Sequence, residues 1–141
     1  MWVVAGAVTW PGRRVLLYDT PLAWIAGAPL IAAGILLYRA ARHGFTPGQL
    51  GGRPEVERRV EQRLVTSGIR QRIRHPIYLG HLCETLGWSA GTGMAVLFAL
   101  TGFAVLTGAI MIRLEDAELE RRFGQEYRRY RERVPALLPR L

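Results

Sequence analysis

The sequence contains no lysine: all 19 basic residues are arginine, set against 11 acidic residues, for a formal net charge of +8 over 141 residues. It has one cysteine, Cys83, which excludes an internal disulfide and any multi-cysteine metal site. No glycine-rich phosphate loop, zinc-ligand spacing or Ser/His/Asp signature is present, and Gly91-Thr92-Gly93 reads as a turn. No metal is therefore expected. The first ten residues are apolar but lack a basic leader, so they do not read as a cleavable signal peptide, and they are too short to cross a bilayer alone.

Half of the residues are nonetheless hydrophobic. High charge and high hydrophobicity coexist because the two are segregated along the chain. The planar guanidinium suits lipid headgroups and carboxylates, which it grips with two hydrogen bonds. An anionic membrane surface accounts for the positive charge, so nucleic acid is not an expected partner.

The pattern predicts one domain over 1–141, all-α and integral to the membrane, with one N-terminal span, a transmembrane helical hairpin and cytosolic amphipathic helices. Residues 1–20 read as an interfacial or partly inserted segment, with Trp2, Trp10 and Tyr18 suited to the headgroup level. Pro21 to Tyr38 carry no charge, and Arg39 and Arg42 follow, so a span is expected over 21–42 with Pro29 bending it. Residues 43–75 form a polar, cytosolic segment, with loop signals at His43–Gly48 and Gly51–Pro54 and a short helix over about 55–65. A hairpin is expected over 76–112, as helices 76–89 and 93–112, broken at Ser89–Gly93. Its glycines, Gly80, Gly87, Gly102 and Gly108, permit close helix approach and a homodimer. Residues 113–141 form a cytosolic helix and tail. Leu119, Phe123, Tyr127, Tyr130 and Val134 make one apolar stripe on an amphipathic helix over 114–134.

Arginine placement sets the expected topology. Segment 39–75 carries nine arginines and 113–141 carries eight, against two in the N-terminal segment and none in the 90–93 turn. The positive-inside rule puts both rich segments on the cytosolic side, over the open end of the hairpin.

Three clusters are candidates for chemistry. The first is the run Arg70-Gln71-Arg72-Ile73-Arg74-His75-Pro76-Ile77-Tyr78-Leu79-Gly80. Pro76 suits the first helical position, which places Arg74 and His75 just ahead of a helix N-terminus. The run reads as a pocket for a carboxylate-bearing, partly aromatic ligand, or as an interfacial anchor of snorkelling arginines. The second is Arg113-Leu114-Glu115-Asp116, whose acids are either partners for the first run or charge complements to the helix that follows. The third is His81 with Glu84, which share a helix face, Glu84 lying about 12 Å along the helix from Pro76. An ionisable residue at that depth is a candidate proton acceptor or substrate-orienting group, or else a neutral glutamate bonded to His81 or Thr85.

The run Leu64-Val65-Thr66-Ser67-Gly68 followed by Arg74-His75-Pro76-Ile77-Tyr78-Leu79-Gly80 resembles the isoprenylcysteine carboxyl methyltransferase and phospholipid methyltransferase superfamily. So does the tail: Glu115-Asp116, Leu119, Phe123-Gly124-Gln125-Glu126-Tyr127, Tyr130, Val134-Pro135 and Pro139. The resemblance covers roughly 60–140 and implies a membrane enzyme that uses S-adenosylmethionine to methylate a lipophilic acceptor. It implies a cofactor site of Leu64, Val65, Arg74, His75, Pro76, Ile77, Tyr78, Gly80, Glu115 and Asp116. Arg74 and His75 would hold the cofactor carboxylate, Glu115 its amine or ribose hydroxyls, and Tyr78 would pack by the sulfonium. Arg113 would orient an anionic acceptor, and His81 and Glu84 would face the acceptor. Two positions depart from the family's habit: Asp116 stands where glutamate is frequent, and Arg70 where an aromatic residue is frequent. Size and arginine usage point to a bacterial inner membrane, with the site facing the cytosol. A non-catalytic lipid- or partner-binding protein of the same fold, and a small transporter using Glu84, are the other readings that the residues admit.

Overall fold

The computed structural model describes residues 15–42 and 63–138. Residues 1–14, the loops expected over 43–54 and most of the short helix expected over 55–65 lie outside the described residues. Among the described residues the regular structure is helical. A 3-10 turn, Pro21–Ala23, leads into α1, Trp24–Arg42; a second 3-10 turn, Gly68–Gln71, precedes α2, Pro76–Thr92, α3, Ala95–Phe123, and α4, Gln125–Arg133. Arg63, Leu64 and Val65 are not helical.

Two segments are long and apolar enough to cross a membrane: Pro21–Arg42, with mean hydropathy 1.8, and Ala95–Phe123, with 2.3. Core helices of a soluble protein would be mostly covered, yet only 11% and 6% of these apolar windows are buried. Ile25 and Leu36 on α1, and Phe103 and Leu106 on α3, face outward. The chain is an all-α integral membrane protein. At 17 residues α2 rises about 25 Å, slightly short of a hydrocarbon core of about 30 Å.

The sequence divides into two compact units. The first comprises residues up to Ile35 together with Gly80–Ala109. Its helices meet through glycine. A Cβ on Gly27 would lie 2.7 Å from the Gly87 carbonyl oxygen, and one on Gly87 would lie 2.7 Å from that of Gly27. Gly34 faces the Gly80 carbonyl in the same way, and the Trp24 ring covers Gly91. Bare backbone lets α1 and α2 approach more closely than larger side chains allow, which multiplies dispersion contacts in a medium that offers no hydrophobic drive. Trp24 and Trp88 pack edge to face at 5.6 Å. Ser89 and Thr101, both buried, share a hydrogen bond of 3.0 Å between α2 and α3.

The described end of the N-terminal segment packs on the α2–α3 turn. Leu16 bridges Met94, Leu17 N–H donates to the Gly93 carbonyl, and the Tyr18 hydroxyl donates to the Ala90 carbonyl at 2.6 Å. The hairpin turn differs from expectation. Ser89–Thr92 remain helical, with the Ser89 and Thr92 hydroxyls turned back to carbonyls one turn earlier, and the break falls at Gly93, whose φ of +67° favours glycine.

The second unit comprises Leu36–Leu79 and residues from Ile110 onward. A separate helix over 114–134 does not form. Instead α3 runs unbroken through Arg113-Leu114-Glu115-Asp116, whose residues are compatible with a helix, and stops at Gly124, where φ is +52°. The expected stripe nevertheless forms the core: Tyr127, Tyr130 and Val134 pack around Leu64, with Leu119 and Phe123 against them. Glu120 pairs across the Gly124 break with Arg128 and Arg131, at 2.6 and 3.0 Å, and so fixes the entry of α4.

Gly87→Ala should lower stability in detergent by about 1–3 kcal/mol, because its Cβ meets the backbone of α1. Gly102→Ala, which meets nothing within 4 Å, should leave the melting temperature unchanged or slightly higher. Thermal unfolding of the two variants side by side checks this.

Candidate active site

The second unit brings the basic run and the acidic pair together. Pro76 opens α2 and lacks the N–H that a helix start leaves unpaired, so the chain ahead of it is free to pair elsewhere. It pairs with the residues that follow α4: Arg74 N–H donates to the Pro135 carbonyl and His75 N–H to that of Ala136, both at 2.9 Å. This fastens the segment before α2 to the end of the chain's last helix. Glu115 and Asp116 approach from α3, beyond its apolar stretch, and Tyr127 from α4.

Asp116 is the centre. One carboxylate oxygen, Oδ1, accepts from Arg74 at 2.6 Å, from His75 Nε2 at 2.7 Å and from the Tyr127 hydroxyl. The Arg74 guanidinium also donates to Tyr127 Oη and to the Val134 carbonyl, both at 2.9 Å. His75 Nδ1 lies 3.5 Å from Glu115 Oε2. Both ring nitrogens thus face carboxylates, an arrangement that an imidazolium satisfies and a neutral ring does not.

The titration of the cluster follows from these contacts. Burial disfavours the charged form of His75, but the hydrogen bonds and charges of Glu115 and Asp116 outweigh it and hold the imidazole above its ordinary value of 6.5. Burial would likewise raise Asp116, yet Tyr127, Arg74 and His75 together hold it below the usual carboxylate range. The His75 hydrogen bond pulls Glu115 down, against an opposing effect of burial. Burial, then the neighbouring Asp116 carboxylate, pushes the Tyr127 hydroxyl up. These contacts favour a charged imidazole, two ionised carboxylates and a neutral phenol beside the Arg74 guanidinium.

Exposure separates the two acids. The Asp116 side chain is 15% exposed and all of its donors come from the protein, whereas Glu115 is 46% exposed. Tyr78, half-buried, packs edge-on to His75 with ring centres 5.7 Å apart, and Ile77 is exposed. Pro76 is fully buried. The Arg74 and His75 side chains are 9% and 3% exposed and pair with Asp116. Leu64 is a core residue under α4, and Val65 beside it is half-buried.

Arg113 is exposed on α3, two residues ahead of Glu115. The third cluster lies in the other unit. His81 is exposed on α2. Glu84 rests against the bare backbone of Gly34, and Gly80 beside it is buried. The Thr85 hydroxyl is taken up by the His81 and Leu82 carbonyls of its own helix.

Two contributors escape sequence reasoning. Tyr127 is legible only as part of an apolar stripe, and nothing in its spacing marks the hydroxyl as a partner for Asp116. Arg70 is buried and ties three pieces of the second unit together: its guanidinium donates to the Ala41 carbonyl at 2.7 Å, near the end of α1, and its own carbonyl accepts from Tyr130 at 2.7 Å. A cation at a helix C-terminus meets the negative end of the helix dipole.

Asp116→Asn leaves the buried Arg74 and His75 without their anion and should cost about 3–5 kcal/mol of stability. Glu115→Gln, at the half-exposed acid, should cost about 1 kcal/mol or less. Denaturant unfolding of both variants tests the difference. The pH dependence follows with its sign. The raised His75 contributes stability that is full below 6.5 and is lost as pH rises through its folded value. The lowered Glu115 and Asp116 contribute stability that is full above their ordinary values of 4.5 and 3.8 and is lost as pH falls through their folded ones. Stability should therefore peak between about pH 5 and 6.5, and His75→Phe should abolish the decline on the alkaline side of that peak.

The sequence is similar to several curated proteins. It is 39% identical over 69 residues to a methanethiol S-methyltransferase of Bradyrhizobium diazoefficiens, covering 49% of this chain and 26% of that protein. It is 34% identical over 90 residues to a protein-S-isoprenylcysteine O-methyltransferase of Arabidopsis thaliana, covering 60% and 44%. It is 35% identical over 120 residues to a nickel-cobalt-cadmium resistance protein of Alcaligenes xylosoxydans xylosoxydans, covering 84% and 53%. The chain thus spans between about a quarter and about half the length of these relatives. No solved structure matches it. Residues 22–126, well over half of the chain and including Arg74, His75, Tyr78, Glu115 and Asp116, match the phospholipid methyltransferase family, and the chain belongs to that family.

Proposed function

We propose that the chain transfers a methyl group from S-adenosylmethionine to a membrane-borne or hydrophobic acceptor, at the cytosolic face of the membrane. The observation that carries this reading is the half-exposed Glu115 carboxylate, held beside Tyr78 on a buried platform of Arg74, His75, Asp116 and Tyr127. The chemistry of that set fits the cofactor. Glu115 offers an acceptor for an ammonium or for ribose hydroxyls, while the Tyr78 ring offers a face that favours a neighbouring sulfonium. Ile77, exposed beside it in sequence, adds apolar surface.

When bound, the cofactor supplies a methyl made electrophilic by its sulfonium. The chain's residues then need only bind, align and exclude water, which lowers the barrier by fixing the reacting geometry in advance. Arg74 and His75 act as positioning residues: through Asp116 they hold α3 against the start of α2 and so keep Glu115 and Tyr78 at a constant separation. Arg113, exposed near Glu115 in sequence, is placed to attract an anionic acceptor. His81 and Glu84 are assigned to the acceptor's approach through the bilayer.

The relatives' names include enzymes acting on methanethiol and on isoprenylcysteine, one small and one lipid-bearing. The acceptor class proposed for this chain is accordingly a lipid, a lipidated thiol or carboxyl group, or a small lipophile. Nine arginines in 39–75 and eight in 113–141 support the cytosolic orientation.

Calorimetry with S-adenosylhomocysteine on the detergent-purified chain tests the proposal. Wild type should bind, and Glu115→Ala should weaken binding by about tenfold, the worth of a charge-assisted hydrogen bond. Absence of binding by a folded wild type would overturn the enzyme reading, and unchanged affinity in Glu115→Ala would overturn the site.

A further inference from the structure

The run from Arg70 to Arg74 alternates in orientation. Arg70 and Arg74 turn inward, the first to the Ala41 carbonyl and the second to Asp116. Arg72 turns outward and is exposed, and among the described residues it has no ion-pair or hydrogen-bonding side-chain partner. It stands at a cavity of about 450 Å³ that Gly68, Ile69 and Ile73 also line. Gly68 begins the 3-10 turn with φ of +62°, and the turn presents Ile69 and Arg72 to the same space.

We propose that this cavity binds an anionic phospholipid of the surrounding membrane, with its phosphate on Arg72 and the upper part of an acyl chain against Ile69 and the small exposed edge of the buried Ile73. The depth is right for such a ligand. Arg72 lies four residues ahead of Pro76, where an apolar helix begins, a place in the sequence that suits a guanidinium at headgroup level. The chemistry is right as well. A cation beside two branched apolar side chains matches a molecule that is charged at one end and apolar a few ångströms away. A soluble anion would use the arginine but leave the isoleucines unmatched. A zwitterionic phospholipid brings the same phosphate, but its ammonium group would be set against a surface already rich in arginine, so a net anionic headgroup is the better match. Neither Glu115 nor Tyr78 lines this cavity. The proposal rests on the membrane-embedded reading of the chain but not on methyl transfer.

The test is lipid retention by the whole purified chain, read by native mass spectrometry after exchange into detergent micelles with equal phosphatidylglycerol and phosphatidylcholine. Wild type should retain phosphatidylglycerol preferentially. Arg72→Ala should cut that preference about fivefold, the worth of one arginine at an anionic surface. Arg72→Lys should keep most of it, and Arg129→Ala, which removes an exposed arginine of α4 that does not line this cavity, should leave it intact. Equal losses in Arg72→Ala and Arg129→Ala, or retention blind to headgroup charge, would overturn the proposal in favour of diffuse attraction by a basic surface. Inorganic phosphate that displaces the lipid at millimolar concentration would overturn it in favour of a simple anion site. Binding of S-adenosylhomocysteine, measured on the same Arg72→Ala preparation, should be unchanged. A chain that retains the anionic lipid but binds no S-adenosylhomocysteine would refute the methyltransferase reading and leave this one standing.

Discussion

A single carboxylate oxygen accepts from an arginine, a histidine and a tyrosine, and the second unit is organised around it. Arg74 and His75 are both nearly inaccessible to water, and burying two cations without an anion would cost several kcal/mol each. Asp116 provides that anion, and Tyr127 adds a neutral donor to the same atom. Because the donors come from the segment before α2 and from α4, while the acceptor is on α3, the charge cluster also decides how these elements meet. The backbone of Arg74 and His75, paired with Pro135 and Ala136, repeats the same attachment by a second route.

Glu115 differs from Asp116 by one residue and by its relation to water. A carboxylate that already accepts three protein donors has little left to offer a ligand. One that is half exposed, with His75 and Tyr78 as its partners, retains lone pairs for further donors. The adjacent acids therefore divide into a buried hub and a solvent-accessible carboxylate, although nothing in their order along the chain distinguishes them. Arg70 illustrates the same principle from the basic side. In place of an aromatic ring it brings a buried guanidinium, which finds a helix-terminal carbonyl and so has a structural task.

The first unit is held by the opposite means. Its close approaches involve Gly27, Gly34, Gly87 and Gly91, where the absence of a side chain is what matters. In a bilayer the apolar residues of α1 and α3 gain little by leaving lipid for protein, so they face outward, and helix association relies on backbone proximity with a few buried hydroxyls such as Ser89 and Thr101.

Composition and periodicity by themselves determined much of this. An uncharged run from Pro21 to Tyr38 has no stable home in water, and a 4-4-3-4 stripe from Leu119 to Val134 must bury one face, so the spans and the core under α4 were legible. The pairing of the arginine–histidine run with the two acids was legible as well, because opposite charges flanking one hairpin have few other partners. The end of α3 was not legible, because a change from apolar to charged residues marks the membrane boundary and not a helix boundary. The backbone hydrogen bonds continue across it until Gly124 adopts a positive φ. Only the tertiary structure decided which arginines of 70–74 turn inward, which acid of the pair stays accessible and that the Tyr127 hydroxyl completes the cluster. Those outcomes depend on the desolvation of each group by segments distant in sequence, and no local pattern of residues encodes that quantity.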